Sequence, residues 1–182
     1  MIEVDTKQII IIDDYFPKYF QQIIHDDLLN MEWEFKNSPY ADFNASRMFG
    51  ISLYYMNRYH RKCPDSIRKF TEDIFNDVLQ NYCNLELVRI LANMQGLYQY
   101  AQIHTDSSET KYLSLVYHVN QSQGDTVFYE NDKNTVIKSI SFKMGRMVIF
   151  PSTYYHEGLP PTQYINPTNN FRMSLGYCFR HD

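Results

Sequence analysis

Several features that would assign this 182-residue chain to a familiar class are missing from it. No run of Gly, Pro or Ser marks a linker, and no repeat or low-complexity segment divides the chain, so one domain over residues 1–182 is expected. A chain of this length buries about 70% of its unfolded surface. There is no basic block, and the net charge is −4, which argues against indiscriminate binding to a phosphate backbone; nucleic acid is not an expected partner. Apolar runs are short: Ile9 to Ile12 is followed at once by Asp13-Asp14, so neither a signal peptide nor a membrane span is read, and a cytoplasmic protein without a membrane partner is expected. Cysteine is sparse and odd in number, with Cys63, Cys83 and Cys178 lacking metal spacing, which suits a reducing compartment. Tryptophan is limited to Trp33, whereas 16 Tyr and 12 Phe are present, a bias toward pleated, half-buried surfaces.

The chain divides into an N-terminal part, 1–84, and a strand-rich part, 85–182. Lys7 to Ile12 reads as a strand. Phe16 to Met31 reads as an amphipathic helix, with Pro17 where a missing N–H costs nothing. Trp33 to Tyr59 strings aromatics through polar residues; it reads as packing over a sheet edge or as a substrate-facing flap. Pro64-Asp65 opens a second helix, read through Cys83, with Ile67, Phe70, Ile74, Val78 and Leu79 on one stripe. From Leu85 onward short apolar runs recur: 85–94, 97–103, 112–119, 126–129, 135–142, 147–150, 154–156 and 171–179. Turn signals such as Gln95-Gly96, Gly124-Asp125 and Met144-Gly145 separate them. About eight short strands after two helices predict a mainly β fold, a jelly-roll barrel with the helices on one outer face.

Within this frame Gln102-Ile103-His104-Thr105-Asp106 carries the chemistry. On an extended segment, residues two apart point to the same side, so His104 and Asp106 can share one ion. His156 follows 52 residues on and Arg172 a further 16. Two imidazoles and a carboxylate form the facial triad that holds non-haem Fe(II) with positions left open, and an arginine offers a fork that clamps a carboxylate. The short motif is weak alone: with 6 His and 13 Asp, chance supplies roughly 0.4 copies. A second copy, His25-Asp26-Asp27, is indeed present. It lies in the first predicted helix, where residues two apart diverge by about 200°, so His25 and Asp27 cannot face one ion.

Taken together, these segments resemble the Fe(II)- and 2-oxoglutarate-dependent oxygenases, in their prolyl-4-hydroxylase-like branch. The resemblance spans Val88 to Arg180. It rests on Ala92-Asn93 leading into His104-Thr105-Asp106, on Leu113 to Asn120, on Gly124-Asp125-Thr126-Val127-Phe128-Tyr129, on Gly145 to Ser152 before His156, and on Arg172-Met173-Ser174. It implies a double-stranded β-helix, cupin-like in outline, with His104, Asp106 and His156 as Fe(II) ligands. Arg172 and Ser174 would take the distal carboxylate of 2-oxoglutarate, with O2 as second co-substrate and ascorbate as an optional addition. Two departures stand out. The family's carboxylate-reaching tyrosine is replaced by His118, next to Tyr117, and strand parity favours His118; the last strand has Cys178 where prolyl hydroxylases often have tryptophan. The resemblance implies a hydroxylase that couples 2-oxoglutarate decarboxylation to C–H hydroxylation of a peptide, protein or small molecule. The alternatives are an oxygenase of nucleobases or small metabolites, and a non-catalytic cupin-like barrel that binds a metal or sugar. Tyr100, Gln102 and Asn93 are candidates for the substrate side. Oligomeric state is left open.

Overall fold

Alternation of side-chain character along the strands determines how the layers assemble. The computed structural model describes residues 8–37, 47–79, 85–163 and 171–181. In chain order these form β1 (Ile10–Asp13), α1 (Lys18–Leu29), β2 (Glu34–Asn37), β3 (Arg47–Tyr55), β4 (Arg58–Tyr59) and α2 (Asp65–Asp73), which runs on into a π-turn at Ile74–Val78. Then come β5 (Glu86–Gln95), β6 (Tyr112–His118), β7 (Thr126–Tyr129), β8 (Val136–Ile140), β9 (Arg146–Pro151), β10 (Tyr155–Gly158) and β11 (Arg172–Arg180). Every pairing is antiparallel; the large sheet runs β1-β9-β6-β11-β5-β3-β2 with β4 on β3, and the small one β10-β7-β8.

Period two splits the large sheet into two chemistries. Ile90, Ala92, Leu115, Tyr117, Met173, Leu175, Tyr177 and Phe179 face the helices, where Ile24, Leu28, Ile67, Phe70 and Ile74 complete an apolar core. Phe70 is the hinge of this layer, its ring centroid 4.7 Å from that of Tyr117 and 5.7 Å from that of Tyr177. The opposite parity faces the small sheet; it is polar at Arg89, Asn93, Gln95, Ser114, Arg172 and Ser174 and apolar at Val148 and Phe150, which pack with Phe128 and Ile140. Both helices therefore lie on one outer face, as the strand-rich pattern predicts.

Four expectations change. The strand at 97–103 does not form. Gln95 Nε2 donates to Gln99 O (3.1 Å), Gly96 N donates to Gln99 Oε1 (2.6 Å), and Tyr98 adopts a left-handed φ of 57°. These local bonds use the groups a ladder would need, and the outer edge of the small sheet is left with one bridge, His104 to His156. The count after the helices is thus seven strands, β5 to β11, with that bridge where the eighth would lie. The second helix ends at Asp73 and its π-turn at Val78; Cys83 lies outside the described residues, as do Tyr40, Phe43 and residues 164–170. The described parts of the aromatic stretch are strands that extend the large sheet past β5. Its Trp33 donates Nε1–H to Leu28 O at the end of α1 (3.0 Å). His25 sits on α1 with Nδ1 2.8 Å from its neighbour Asp26, while Asp27 accepts from Ser66, so the second His-x-Asp copy is split between two partners as helix geometry requires.

Candidate metal and co-substrate site

His104 and His156 are joined through their backbones. His104 N–H donates to His156 O (3.0 Å), and His156 N–H donates back to His104 O (2.9 Å). The reciprocal pair brings the imidazoles side by side, with centroids 4.5 Å apart. Asp106 is brought in by its own backbone: Asp106 N–H and Ser107 N–H both donate to Ser152 O, at 3.0 and 3.1 Å. Although 99–103 is not a strand, His104 and Asp106 therefore do share a side. His104 Nε2 is 4.0 Å from Asp106 Oδ1 and His156 Nε2 is 3.7 Å from Asp106 Oδ2. One ligand atom from each of the three residues lies within 4.8 Å of the others, close enough to hold a metal ion.

The protonation pattern suits a cation. His104 Nδ1 lies 2.9 Å from Gln102 O and His156 Nδ1 3.0 Å from Tyr154 O. A carbonyl only accepts, so each Nδ1 carries the proton, and each Nε2 lone pair is left for the centre. Burial depresses His156 to a pKa of about 4 against the opposing field of Asp106, so its ring is neutral at pH 7. Burial also opposes the Asp106 charge. The fields of His156, Arg89 and His104 and a hydrogen bond from Ser114 outweigh it and hold the carboxyl below its usual range. Asp106 Oδ1 accepts from Arg89 Nη2 at 2.8 Å and Oδ2 from Ser114 Oγ at 2.6 Å; Ser114 is 2.7 Å from Ser152 Oγ. The three donors are two nitrogens and one oxygen with no thiolate, a set that suits Fe(II) better than a soft-metal cluster.

Arg172 lies at the other end of the same cavity, which has a volume of about 620 Å³ and is lined by His104, Asp106, His156, Arg172 and Ser174 among others. It is 4% exposed. Its donors meet neutral oxygens: Gly124 O (3.0 Å), Gln95 Oε1 (3.0 Å), Thr126 Oγ1 (3.0 Å) and, at the limit, Ser174 Oγ (3.5 Å). Its guanidinium lies over the Phe142 ring, 4.5 Å from the centroid. Burial pulls its pKa down to about 10, with Asp125 opposing at longer range. Among the described residues no carboxylate contacts this buried guanidinium, which calls for an anion. Gly124 shapes this end of the site: at φ 95°, and with a Cβ position only 2.0 Å from Leu159 O, it turns its carbonyl onto Arg172 as no other residue would.

His118 and Tyr117 separate as parity predicts. Tyr117 points into the helix-side core, its hydroxyl buried without a partner. His118 lies on the cavity side of β6 yet does not line the cavity. Its Nε2 is 3.3 Å from Thr126 Oγ1, its Nδ1 accepts from Lys143 N at 3.3 Å, and its ring stacks on Phe142 at 4.1 Å. It thus buttresses Thr126, which touches Arg172. Burial, reinforced by Arg172 and Arg146, holds His118 neutral, well below its usual pKa. Gln102 and Asn93 line the cavity, whereas Tyr100 is exposed outside the lining. Arg89, Gln95, Ser114 and Thr126 are site residues that sequence reading missed. The signal was there for β5, where Arg89, Leu91, Asn93 and Gln95 share one parity in a strand whose other face is apolar.

Comparisons with known proteins bear on the family and the fold. Residues 90–177 match the family model described as the 2OG-Fe(II) oxygenase superfamily. Similar solved structures include an oxidoreductase of the 2OG-Fe(II) oxygenase family from Burkholderia pseudomallei, with a TM-score of 0.72 and 14% identity over 94% of this chain and 84% of that one. A Pseudomonas putida prolyl-4-hydroxylase has a TM-score of 0.64 and 14% identity, covering 97% and 94%. HygX from Streptomyces hygroscopicus, solved with nickel and 2-oxoglutarate, has a TM-score of 0.70 and 9% identity, covering 97% and 84%. At such identities the likeness is one of fold, the double-stranded β-helix. The comparison with curated proteins finds no match.

Proposed function

We propose that this chain, whose residues 90–177 match the 2OG-Fe(II) oxygenase superfamily model, is a hydroxylase of the prolyl-4-hydroxylase-like kind. The observation that carries the proposal is the opening of the His104-Asp106-His156 cluster and the uncompensated Arg172 onto one cavity. In this reading the three ligands hold Fe(II) while Arg172 and Ser174 hold the distal carboxylate of 2-oxoglutarate. Thr126, buttressed by His118, keeps the guanidinium aimed. When bound, the iron and 2-oxoglutarate would supply, with O2 as oxidant, oxidative decarboxylation and delivery of one oxygen atom to a substrate C–H bond. The protein orients the co-substrate between two fixed anchors and keeps the His156 imidazole neutral.

Asp106 is retained as the third ligand, which favours hydroxylation over halide transfer. The substrate is a small molecule or a peptide segment, and a cytoplasmic setting is assigned on cysteine usage. Among the described residues no helix is long and apolar enough to cross a membrane. The test is succinate release in a screen of peptides and metabolites, with Asp106→Ala as the control. Turnover that survives in Asp106→Ala would sink the assignment, and a wild-type protein that binds metal yet never releases succinate would favour a non-catalytic barrel.

A further inference from the structure

Arg89 is the second guanidinium of the cavity, and nothing in the oxygenase reading requires it. It lies on β5 six residues from Gln95, the partner of Arg172, and so at the metal end of the cavity rather than the co-substrate end. Among the described residues its one side-chain hydrogen bond is from Nη2 to Asp106 Oδ1 (2.8 Å); Nε is buried without a partner, and the side chain, 33% exposed, lines the cavity. Buried donors are rarely left unpaired. Nor does Asp106 need a cation to orient it, because Ser114 already fixes Oδ2 and Ser152 its backbone. A positive charge on a metal-binding carboxylate competes with the ion, so keeping one there weakens the metal site unless it serves another ligand.

The charge balance points the same way. The charged groups among the residues lining the cavity are Arg89, Arg172 and Asp106. Asp125, whose field reaches Arg172, is outside the lining and accepts from Ser139. A divalent iron and doubly ionised 2-oxoglutarate cancel each other, so the loaded cavity keeps one positive charge, and Arg89 is where it remains once Arg172 has its carboxylate.

We propose that Arg89 is a specificity-determining residue that binds an anionic oxygen group, a carboxylate in the simplest case, on the substrate next to the C–H bond to be oxidised. The inference rests on the oxygenase reading above and adds the substrate class to it. Arginine suits the task because its planar fork keeps one edge on Asp106 and offers the remaining donors to a second anion.

The test uses the whole protein under anaerobic conditions, loaded with Fe(II) and saturating 2-oxoglutarate, whose chelate absorbs weakly in the visible. A panel of small carboxylic acids and their primary amides is titrated calorimetrically, and only binding that leaves the band intact is scored. The expected result is a preference of about tenfold or more for acid over amide in the best pair, falling to about twofold or less in Arg89→Gln with the band retained. Arg89→Lys keeps the charge without the fork and is expected to fall between them; should Arg89→Gln not fold, an unreduced preference in Arg89→Lys overturns the proposal. No acid preference in the wild type, or one that persists in Arg89→Gln, also overturns it. Loss of the band in Arg89→Gln would overturn it too, reducing Arg89 to a support for Asp106. A missing band in the wild type is a separate outcome, since it removes the oxygenase reading itself and the inference with it.

Discussion

Gly158 lies against the guanidinium of Arg172: a methyl group at that α-carbon would sit 2.7 Å from Nη1 and 2.8 Å from the central guanidinium carbon. The space exists only because residue 158 has no side chain, and a buried, multiply bonded arginine cannot easily retreat. Gly158→Ala is expected to raise the KM for 2-oxoglutarate roughly tenfold while leaving metal affinity within about twofold, since a charged hydrogen bond is worth ~1.5–3 kcal/mol. Steady-state kinetics with varied co-substrate, alongside metal titration, check the split. A change in metal affinity as large as that in KM would count against it.

Removal of the guanidinium itself has a larger effect. Arg172→Gln leaves Gln95, Thr126 and Gly124 O without their donor and, on the proposed role, would strip the co-substrate of its counterion. The KM for 2-oxoglutarate should rise by about 10- to 100-fold. Arg172→Lys should recover part of that, having the charge but one point of contact. Equal KM values for the wild type and the glutamine variant would refute this role.

Asp106 is the one carboxylate of the His104-Asp106-His156 cluster, so on the proposed reading Asp106→Ala should abolish the visible chelate band with Fe(II) and 2-oxoglutarate and reduce succinate release to background. Anaerobic spectroscopy reads the first and end-point assay the second. The fold should persist, because Asp106 lies outside the apolar core.

Tyr117→Phe removes a hydroxyl that is buried with no partner and sits among core side chains. Leaving such a group unbonded costs about 1–3 kcal/mol, so the variant is expected to be as stable as the wild type or more stable by about 1 kcal/mol. Its affinity for 2-oxoglutarate should be unchanged, which also tests the choice of His118 over Tyr117. Denaturant melts and co-substrate titration report the two quantities. A weaker co-substrate complex would return Tyr117 to the site.

Acid should weaken the metal-free fold before its carboxylates are titrated. Burial depresses His156 to about 4 and His118 well below the ordinary 6.5. Between those values the unfolded chain binds protons that the folded chain refuses, so stability falls as pH drops from about 6.5 toward 4 and is regained as pH rises. His118→Asn should flatten that slope in unfolding measurements made across the window. An undiminished slope would mean that other groups carry it.

Much of this site was legible because its residues repeat at the period of a strand. Arg172 and Ser174 lie two apart on β11, and Ser114 and His118 share the parity of Val116 on β6. Parity alone sufficed to separate His118 from Tyr117. The strand expected at 97–103 failed because aromatic content does not reveal that Gln95 and Gln99 would bond to backbone and close a turn. His104 and Asp106 still meet, through pairing with His156 and Ser152 some fifty residues away, a relation no local pattern records. Arg89 was missed for a similar reason: its meaning depends on Asp106, 17 positions on, and on a cavity that exists only after β5 and β11 have paired.

The twin amide bonds between His104 and His156 tie two imidazoles of the candidate metal cluster to the single stitch that closes the edge of the small sheet. Grip on the ion and closure of the seam are therefore one mechanical event, so that filling the centre should slow deuterium uptake at both amides together. Loss of the ion would loosen the barrel first at that edge, beside the cavity, leaving the helix-backed layer as it was.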